Sequence, residues 1–218
     1  MPLPNPCCAY DDAIAPRGRG RPRKAPEESE VRQRLLEAGL ATLTERGYSA
    51  VSLDDILKAA SAPKGCFYHY FKSKDAYVQE LLKAYDLYFQ ARMERCFNDA
   101  TQSPLQRIEL FIEAGVQGMQ RFDFCRGCLV GNLGQEMAAL PDAMRLQLIQ
   151  IIQTWEAQFS SALEAAQAEG EIARSLNARS MAAFYWIGWE GAVLRAKLER
   201  SEAPLRIFIQ HFFNIIKK

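Results

Sequence analysis

SLDDILKAASAPKGCFYHYFKSKD, residues 52–75, decides how this chain reads. Ser52 followed three positions later by Asp55 is a capping-box-like start, and Asp54 and Asp55 place negative charge where it complements the dipole of a short helix over 53–60. Pro63 cannot extend that helix, since it has no N–H to donate, but its fixed φ suits a helix start, so a second helix is expected over 64–70. Ser73 caps the next helix, on which Tyr77, Leu81, Ala84, Tyr85 and Tyr88 share a face. Upstream, Glu27, Glu28 and Glu30 precede Leu36, Leu40 and Leu43 at helical spacing until Gly47 stops the run. Two short helices with a tight turn between them, behind a longer one, make a helix-turn-helix unit.

Downstream the pattern is helix after helix, with Pro and Gly as punctuation: 104–121, a shorter segment around 129–139, 141–169, 178–200 and 204–217. No alternating strand pattern and no solenoid period is present, so the fold class is all-α. Residues 1–25, rich in Pro, Gly and Arg with few large apolar groups, read as a disordered basic arm. The division that follows is a DNA-binding head at 26–72 and a ligand-binding and dimerisation body at 73–218.

Composition narrows the function classes. The chain has 218 residues, nearly half of them apolar, with a formal net charge of +1. That is ample for a core without staples, and no apolar run approaches the roughly 20 residues of a spanning helix. Met1 to Tyr10 lack the basic start and apolar stretch of a secretion signal, so the cytoplasm is the expected compartment and reduced thiols the expected state. The six cysteines, unevenly spaced and with Cys66 and Cys96 inside helical patterns, do not read as a disulfide framework. Charge is uneven along the chain: Arg17, Arg19, Arg21, Arg23 and Lys24 form one acid-free patch, and Lys58, Lys64, Lys72 and Lys74 a second. Two basic patches on a nearly neutral chain suit one end that faces DNA.

Residues 52–75 resemble the head motif of the TetR family of bacterial transcription regulators, and the resemblance continues over 26–218. It implies that Leu53, Ile56 and Leu57 pack the second helix, that 64–70 is the recognition helix, that Phe71 is core and that Lys74 clamps a phosphate. It also implies a dimer that binds double-stranded operator DNA and a small-molecule inducer. The residues are suited to this. Lys64 and Gly65 let an ammonium and backbone N–H groups approach phosphate at a helix start, as Ser52 and Lys72 do from the flanks. Tyr68, His69 and Tyr70 are flat groups able to meet base edges, with core packing as the competing reading for each tyrosine. Three positions depart from the family pattern. Ser61 replaces the turn glycine, so the turn either takes left-handed strain or changes shape; Ala62 is small; and Cys66 replaces a hydroxyl residue, offering phosphate only a weak donor. RGRGRP in the arm resembles an AT-hook core, able to enter a narrow minor groove, against the plainer reading of a solvated basic tail.

In the body, Trp186, Glu190, Val193 and Lys197 fall on one stripe and Ile187, Gly191, Leu194 and Leu198 on another, so one can face a pocket and the other a partner helix. The final segment is apolar over a wide arc, and the last two helices together suit a symmetric four-helix dimer interface. CRGCLVGNLGQEMAALP, residues 125–141, contains a C-x-x-C pair, Cys125 and Cys128. Zinc would need two more ligands, and His69 and His211 are the only histidines, so no metal is assigned. A thiol-dependent reductase would need a sheet or a nucleotide fingerprint, so neither enzyme nor cofactor is assigned. With WIGWEGAVLRAKLE at 186–199, the segment resembles a narrower branch of the family that includes repressors of acrylate utilisation and of N-ethylmaleimide reductase. That resemblance implies an electrophile-sensing thiol at Cys128 engaged by Lys197, with Asn132 nearby; an ammonium beside a thiol would raise its thiolate fraction. It equally implies a site where Lys197 or Arg195 pairs with a small carboxylate such as acrylate, whose apolar end rests on Trp155, Trp186 and Trp189, beside Glu190.

Overall fold

The structure, a computed structural model, describes residues 30–217; the arm with Arg17, Arg19, Arg21 and Arg23 lies outside the described residues. Its helices are α1 (Glu30–Arg46), α2 (Leu53–Ala59), α3 (Lys64–Tyr70), α4 (Lys74–Phe97), α5 (Pro104–Gln120), α6 (Leu129–Gln135), α7 (Asp142–Ala168), α8 (Ala178–Glu199) and α9 (Ala203–Ile216). Among the described residues there is no strand, only an isolated bridge between Ile172 and Lys217. No described helix is long and apolar enough to cross a membrane.

The starts are where local chemistry puts them. The Ser52 hydroxyl accepts from the Asp55 N–H while the Asp55 side chain accepts from the Ser52 N–H, a complete capping box, and Ser103 with Gln106 repeats it at α5. Pro63 stands at the N-cap of α3 and Ser73 caps α4 through the Ala76 N–H. The segment expected over 129–139 is two pieces, α6 and a single 3-10 turn over Met137–Ala139. Ser61 resolves its alternative: it takes a φ of 48°, so the turn keeps its left-handed shape and a serine bears the strain a glycine would avoid.

The head closes over Leu35, Leu43, Ile56, Phe67, Phe71 and Tyr77, all buried, so the first turn of α4 contributes to its core. In the body, α7 and α8 sandwich an aromatic cluster in which Trp155 and Trp186 lie 5.1 Å apart and Phe159 stacks on Tyr185 at 4.2 Å. Gly188 permits α9 to approach α8, because a Cβ there would collide with the Phe208 ring. The adjoining face of α8 is apolar and open: Phe184, Ile187, Leu194 and Leu198 are exposed, Ile187 by 74%. Cys66, Cys125 and Cys128 are free thiols.

Candidate nucleic-acid interface and ligand cavity

α3 buries one side and offers the other. Phe67 is its buried anchor, 5.3 Å from the rings of both Phe71 and Tyr77. Lys64, Gly65, Tyr68 and His69 are exposed together, and a Cβ at Gly65 would meet nothing, so this surface is open to close backbone approach. Cys66 and Tyr70 are half-buried, Tyr70 against the core. Lys64 lies 3.9 Å from Asp54, an exposed pairing of little energetic weight. Lys72 is exposed. Ser52 is exposed, yet its hydroxyl is occupied with Asp55, accepting from the backbone at 3.1 Å and donating to the carboxylate at 2.6 Å. Lys74 departs from the free phosphate clamp: its ammonium donates to the Tyr48 carbonyl at 2.7 Å and lies 3.9 Å from that ring's centre, and burial holds its pKa below the ordinary lysine value. It buttresses the α1–α2 turn.

That turn is also where the body grips the head. The last carbonyls of α1 have no helical partners of their own. Asn132 on α6 donates to Leu43 O at 3.1 Å and Thr44 O at 2.7 Å, Lys197 on α8 donates to Thr44 O at 3.0 Å, and the Gly127 N–H reaches the same oxygen at 3.2 Å. Asn132 Oδ1 in turn accepts from Lys197 at 3.4 Å. Just past the helix end, Glu136 accepts from the N–H groups of Tyr48 and Ser49 at 2.7 and 2.8 Å. Tyr48 donates its hydroxyl to Asp75, and burial together with that carboxylate pushes it up to about 12.

Beside the joint lies a cavity of about 410 Å³ bounded by α1, α4, α5, α8 and the loop before α6. Its walls are largely aromatic, with Phe89, Phe111, Trp186 and Trp189 prominent, and its polar groups include Arg92, Cys128 and Glu190. Glycines make the room: a Cβ at Gly115 would stand 2.8 Å from Trp189, and one at Gly131 would collide with the Glu190 carboxylate. Of the sequence-selected ligand residues, the cavity gathers Cys128, Trp186, Trp189 and Glu190. The other four lie elsewhere. Asn132 and Lys197 are bound into the joint, Trp155 sits behind Trp186 and donates to Asp86 at 2.8 Å, and Arg195 is exposed and bonded to Glu199 at 2.8 Å.

This arrangement corrects the expected thiol chemistry. Lys197 is directed at Thr44, and the charge that bears on Cys128 is Glu190. Burial, then that carboxylate, push the Cys128 thiol well above its ordinary value, while the Tyr85 hydroxyl donates to its sulfur at 3.8 Å. Burial also pushes Glu190 up to about 7. Cys125 faces away, against Arg200, so the two cysteines do not share a site. No cluster of potential metal ligands exists among the described residues. The cation that sequence reading missed is Arg92, on α4, which faces Phe89 and Phe111 with its guanidinium 5.8 and 5.6 Å from their ring centres.

Residues 35–81 match the family described as bacterial regulatory proteins, tetR family, and residues 104–212 match the tetracyclin repressor-like C-terminal domain. The chain is 50% identical to the transcriptional regulator AcuR of Cereibacter sphaeroides over 194 residues, 89% of each chain. It is 34% identical to the HTH-type transcriptional repressor DhaR of Mycobacterium sp., covering 85% of this chain and 92% of that one. Identity to the Escherichia coli repressor NemR is 29%, over 87% of this chain and 95% of that one. Among solved structures, regulatory protein TetR from Rhodobacter sphaeroides superposes with a TM-score of 0.84 at 47% identity, covering 86% of this chain and all of that one. The reduced form of Escherichia coli NemR superposes with a TM-score of 0.77 at 28% identity, covering 87% of this chain and 98% of that one. With these matches over both the head and the body, the chain belongs to the TetR family of bacterial regulatory proteins.

Proposed function

We propose that this regulator is a cytoplasmic repressor that binds operator DNA as a homodimer through α8 and α9 and releases it when a small molecule enters the body. The observation that carries the reading is that the cavity abuts the residues that hold the head: Gly127 both lines the cavity and caps Thr44, and Cys128 stands at the N-cap of α6, the helix that carries Asn132. An occupant that displaces this segment favours a different setting of the head, and affinity for DNA changes with it. The inducer is acrylate or a related small electrophile or carboxylate, supported by the size and aromatic lining of the cavity and by the similarity to AcuR. DNA is read by the exposed face of α3, with Lys72 and the basic arm adding phosphate contacts and the arm entering the minor groove.

The test is a gel shift with a duplex that the protein itself selects from random sequence. Release by acrylate at concentrations that do not change ionic strength supports the reading. A complex that survives acrylate, propionate and N-ethylmaleimide alike would remove the inducer-relieved part of it. A second reading, electrophile sensing through Cys128, is favoured by one observation: this free thiol lines the same cavity. It has no ammonium to activate it, so any capture must proceed through the small thiolate fraction that burial leaves.

A further inference from the structure

We propose that Arg92, Trp186 and Glu190 are the receptor for one carboxyl group of a short apolar acid, which binds by sharing a single proton with the Glu190 carboxyl while Arg92 supplies the balancing charge. The proposal rests on the ligand-relieved reading above and names the chemistry of its site.

Four buried side-chain atoms among the described residues lack a hydrogen-bond partner: Arg92 Nε, Trp186 Nε1, Glu190 Oε1 and Gln158 Oε1. The first three belong to residues that line the same cavity. Buried polar groups are nearly always satisfied, so three orphaned atoms on residues of one cavity wall point to a partner that reaches them from that cavity once the side chains turn toward it. Two of them, the guanidinium and indole N–H groups, can only donate; a carboxyl oxygen can do either, according to its proton. Arg92 and Glu190 share the cavity without forming an ion pair, and burial holds the carboxyl up to about 7 against a hydrogen bond with Cys128 that lowers it.

A carboxylate meets all three demands. It accepts from Arg92 and Trp186 and, on its remaining lone pairs, from the proton of Glu190. Two adjoining carboxyl groups in an apolar site do not both ionise, so the pair keeps one proton and one negative charge, which the guanidinium matches. Other ligand classes fail in identifiable ways. An amine would suit Glu190 but face Arg92; a neutral amide would leave the guanidinium charge uncompensated. The walls of Phe89, Phe111 and Trp189 suit a short hydrocarbon tail, and the modest volume excludes a long one.

The remaining titratable groups around the cavity do not supply that proton or charge. Glu37 on α1 is exposed, as is Arg121 after α5, and Arg126 before α6 lies over the Phe122 ring at 4.2 Å. Tyr85 on α4, Cys128 before α6 and Tyr185 on α8 are each pushed well up, primarily by burial, and remain neutral. α7 contributes no residue to the lining.

The experiment is calorimetric titration of the full chain with propionate, acrylate and propionamide between about pH 6 and pH 8, with a carboxyl of this kind as the titrating group. Both acids should bind and propionamide should not. Affinity should be level below about pH 7 and fall about tenfold per unit above it, because binding then requires uptake of one proton. Arg92→Met should lose at least about tenfold for both acids. Glu190→Gln should still bind them, since its amide donates, but with the pH dependence gone. Trp186→Phe, which removes the N–H together with part of the indole ring while keeping an aromatic side chain, should lose several-fold and guards against a misfolded Arg92 variant; far-ultraviolet circular dichroism checks all three. Failure of both acids to bind the unaltered protein, equal affinity in Arg92→Met, or the same pH slope in Glu190→Gln would each overturn the proposal. A gel shift run in parallel separates it from the function: acid-driven release that survives Arg92→Met keeps the repressor and removes this receptor, whereas Arg92-dependent binding without release keeps the receptor and removes induction.

Discussion

Lys197, near the end of α8, donates its ammonium to the carbonyl of Thr44 in the last turn of α1, at 3.0 Å and across 153 residues of sequence. A cation at a helix C-terminus satisfies an orphan carbonyl and complements the dipole. Lys197→Met should therefore lower unfolding free energy by about 1 kcal/mol, and it should shift the inducer concentration that releases DNA, because one tie between body and head is gone. Binding of propionate itself should be unaffected, as the ammonium does not line the cavity. Weaker propionate binding in this variant, measured by calorimetry, would return Lys197 to the ligand site.

Glu136 offers a pH-dependent reading of the same joint. Burial would raise its carboxyl, but the bonds from Ser49 and Tyr48 and the charge of Lys74 outweigh burial and leave it below the ordinary carboxylate range. A depressed carboxylate stabilises the fold above its unfolded value of about 4.3, and that contribution disappears as pH falls through the folded value. The stability gap between the unaltered protein and Glu136→Gln should be full at pH 7 and close as the solution is acidified below about pH 4. Urea denaturation at several pH values measures it. A gap that stays constant on acidification would mean that the carboxylate charge is not what holds the turn.

On the head, Lys64→Ala and Tyr68→Ala should each abolish specific operator binding while leaving a folded dimer. Both side chains stand on the exposed face of α3, and each lost contact costs about 1 to 3 kcal/mol per half-site, felt twice in a symmetric complex. Fluorescence anisotropy with the selected duplex reads the loss. Unchanged affinity in both variants would move recognition away from α3.

The head was legible because its signals are local. Ser52 with Asp55, Pro63 and Ser73 fix three helix starts within 24 residues, and Phe67 had to turn inward once Lys64, Gly65, Tyr68 and His69 took the outer face. The cavity was half legible for a geometric reason. Lys197 does lie on the stripe of Glu190, but seven residues along a helix is about 10 Å, which carries it past the cavity to the end of α1. Arg92 was missed because nothing in the sequence sets it apart from its charged neighbours Glu94 and Arg95; only the approach of α5 and α8 encloses it. Trp155, similarly, points to Asp86 on α4, a partner no spacing rule identifies.

The open face of α8 carries its own prediction. Phe184, Ile187, Gly191, Leu194 and Leu198 recur at three- and four-residue steps, as in a helix–helix seam, and Gly191 leaves open space beside it. Ile187→Glu places a charge in the middle of that seam, where burial against a second copy would leave it unpaired. Analytical ultracentrifugation should show a monomer of unaltered helicity at concentrations where the parent chain is dimeric. A dimer that persists in this variant and in Leu198→Glu would place the interface elsewhere.

The last prediction concerns Cys128. Its thiol is held well above the ordinary value by burial and then by Glu190, so little thiolate exists near neutral pH, and thiolate is the species that attacks an electrophile. N-ethylmaleimide should therefore label Cys128 more slowly than a cysteine of ordinary pKa, as followed by mass spectrometry of the 126–141 peptide region. Glu190→Gln removes the negative neighbour, lowers the thiol pKa and should speed labelling at about pH 7.5, below the ordinary thiol value of about 8.5. Cys128→Ser should leave release by propionate intact, since a hydroxyl keeps the approximate size of the group, and blunt only release by N-ethylmaleimide. Labelling of Cys128 as fast as an ordinary thiol, or unchanged in Glu190→Gln, would mean that the carboxylate does not govern this sulfur and that another group activates it.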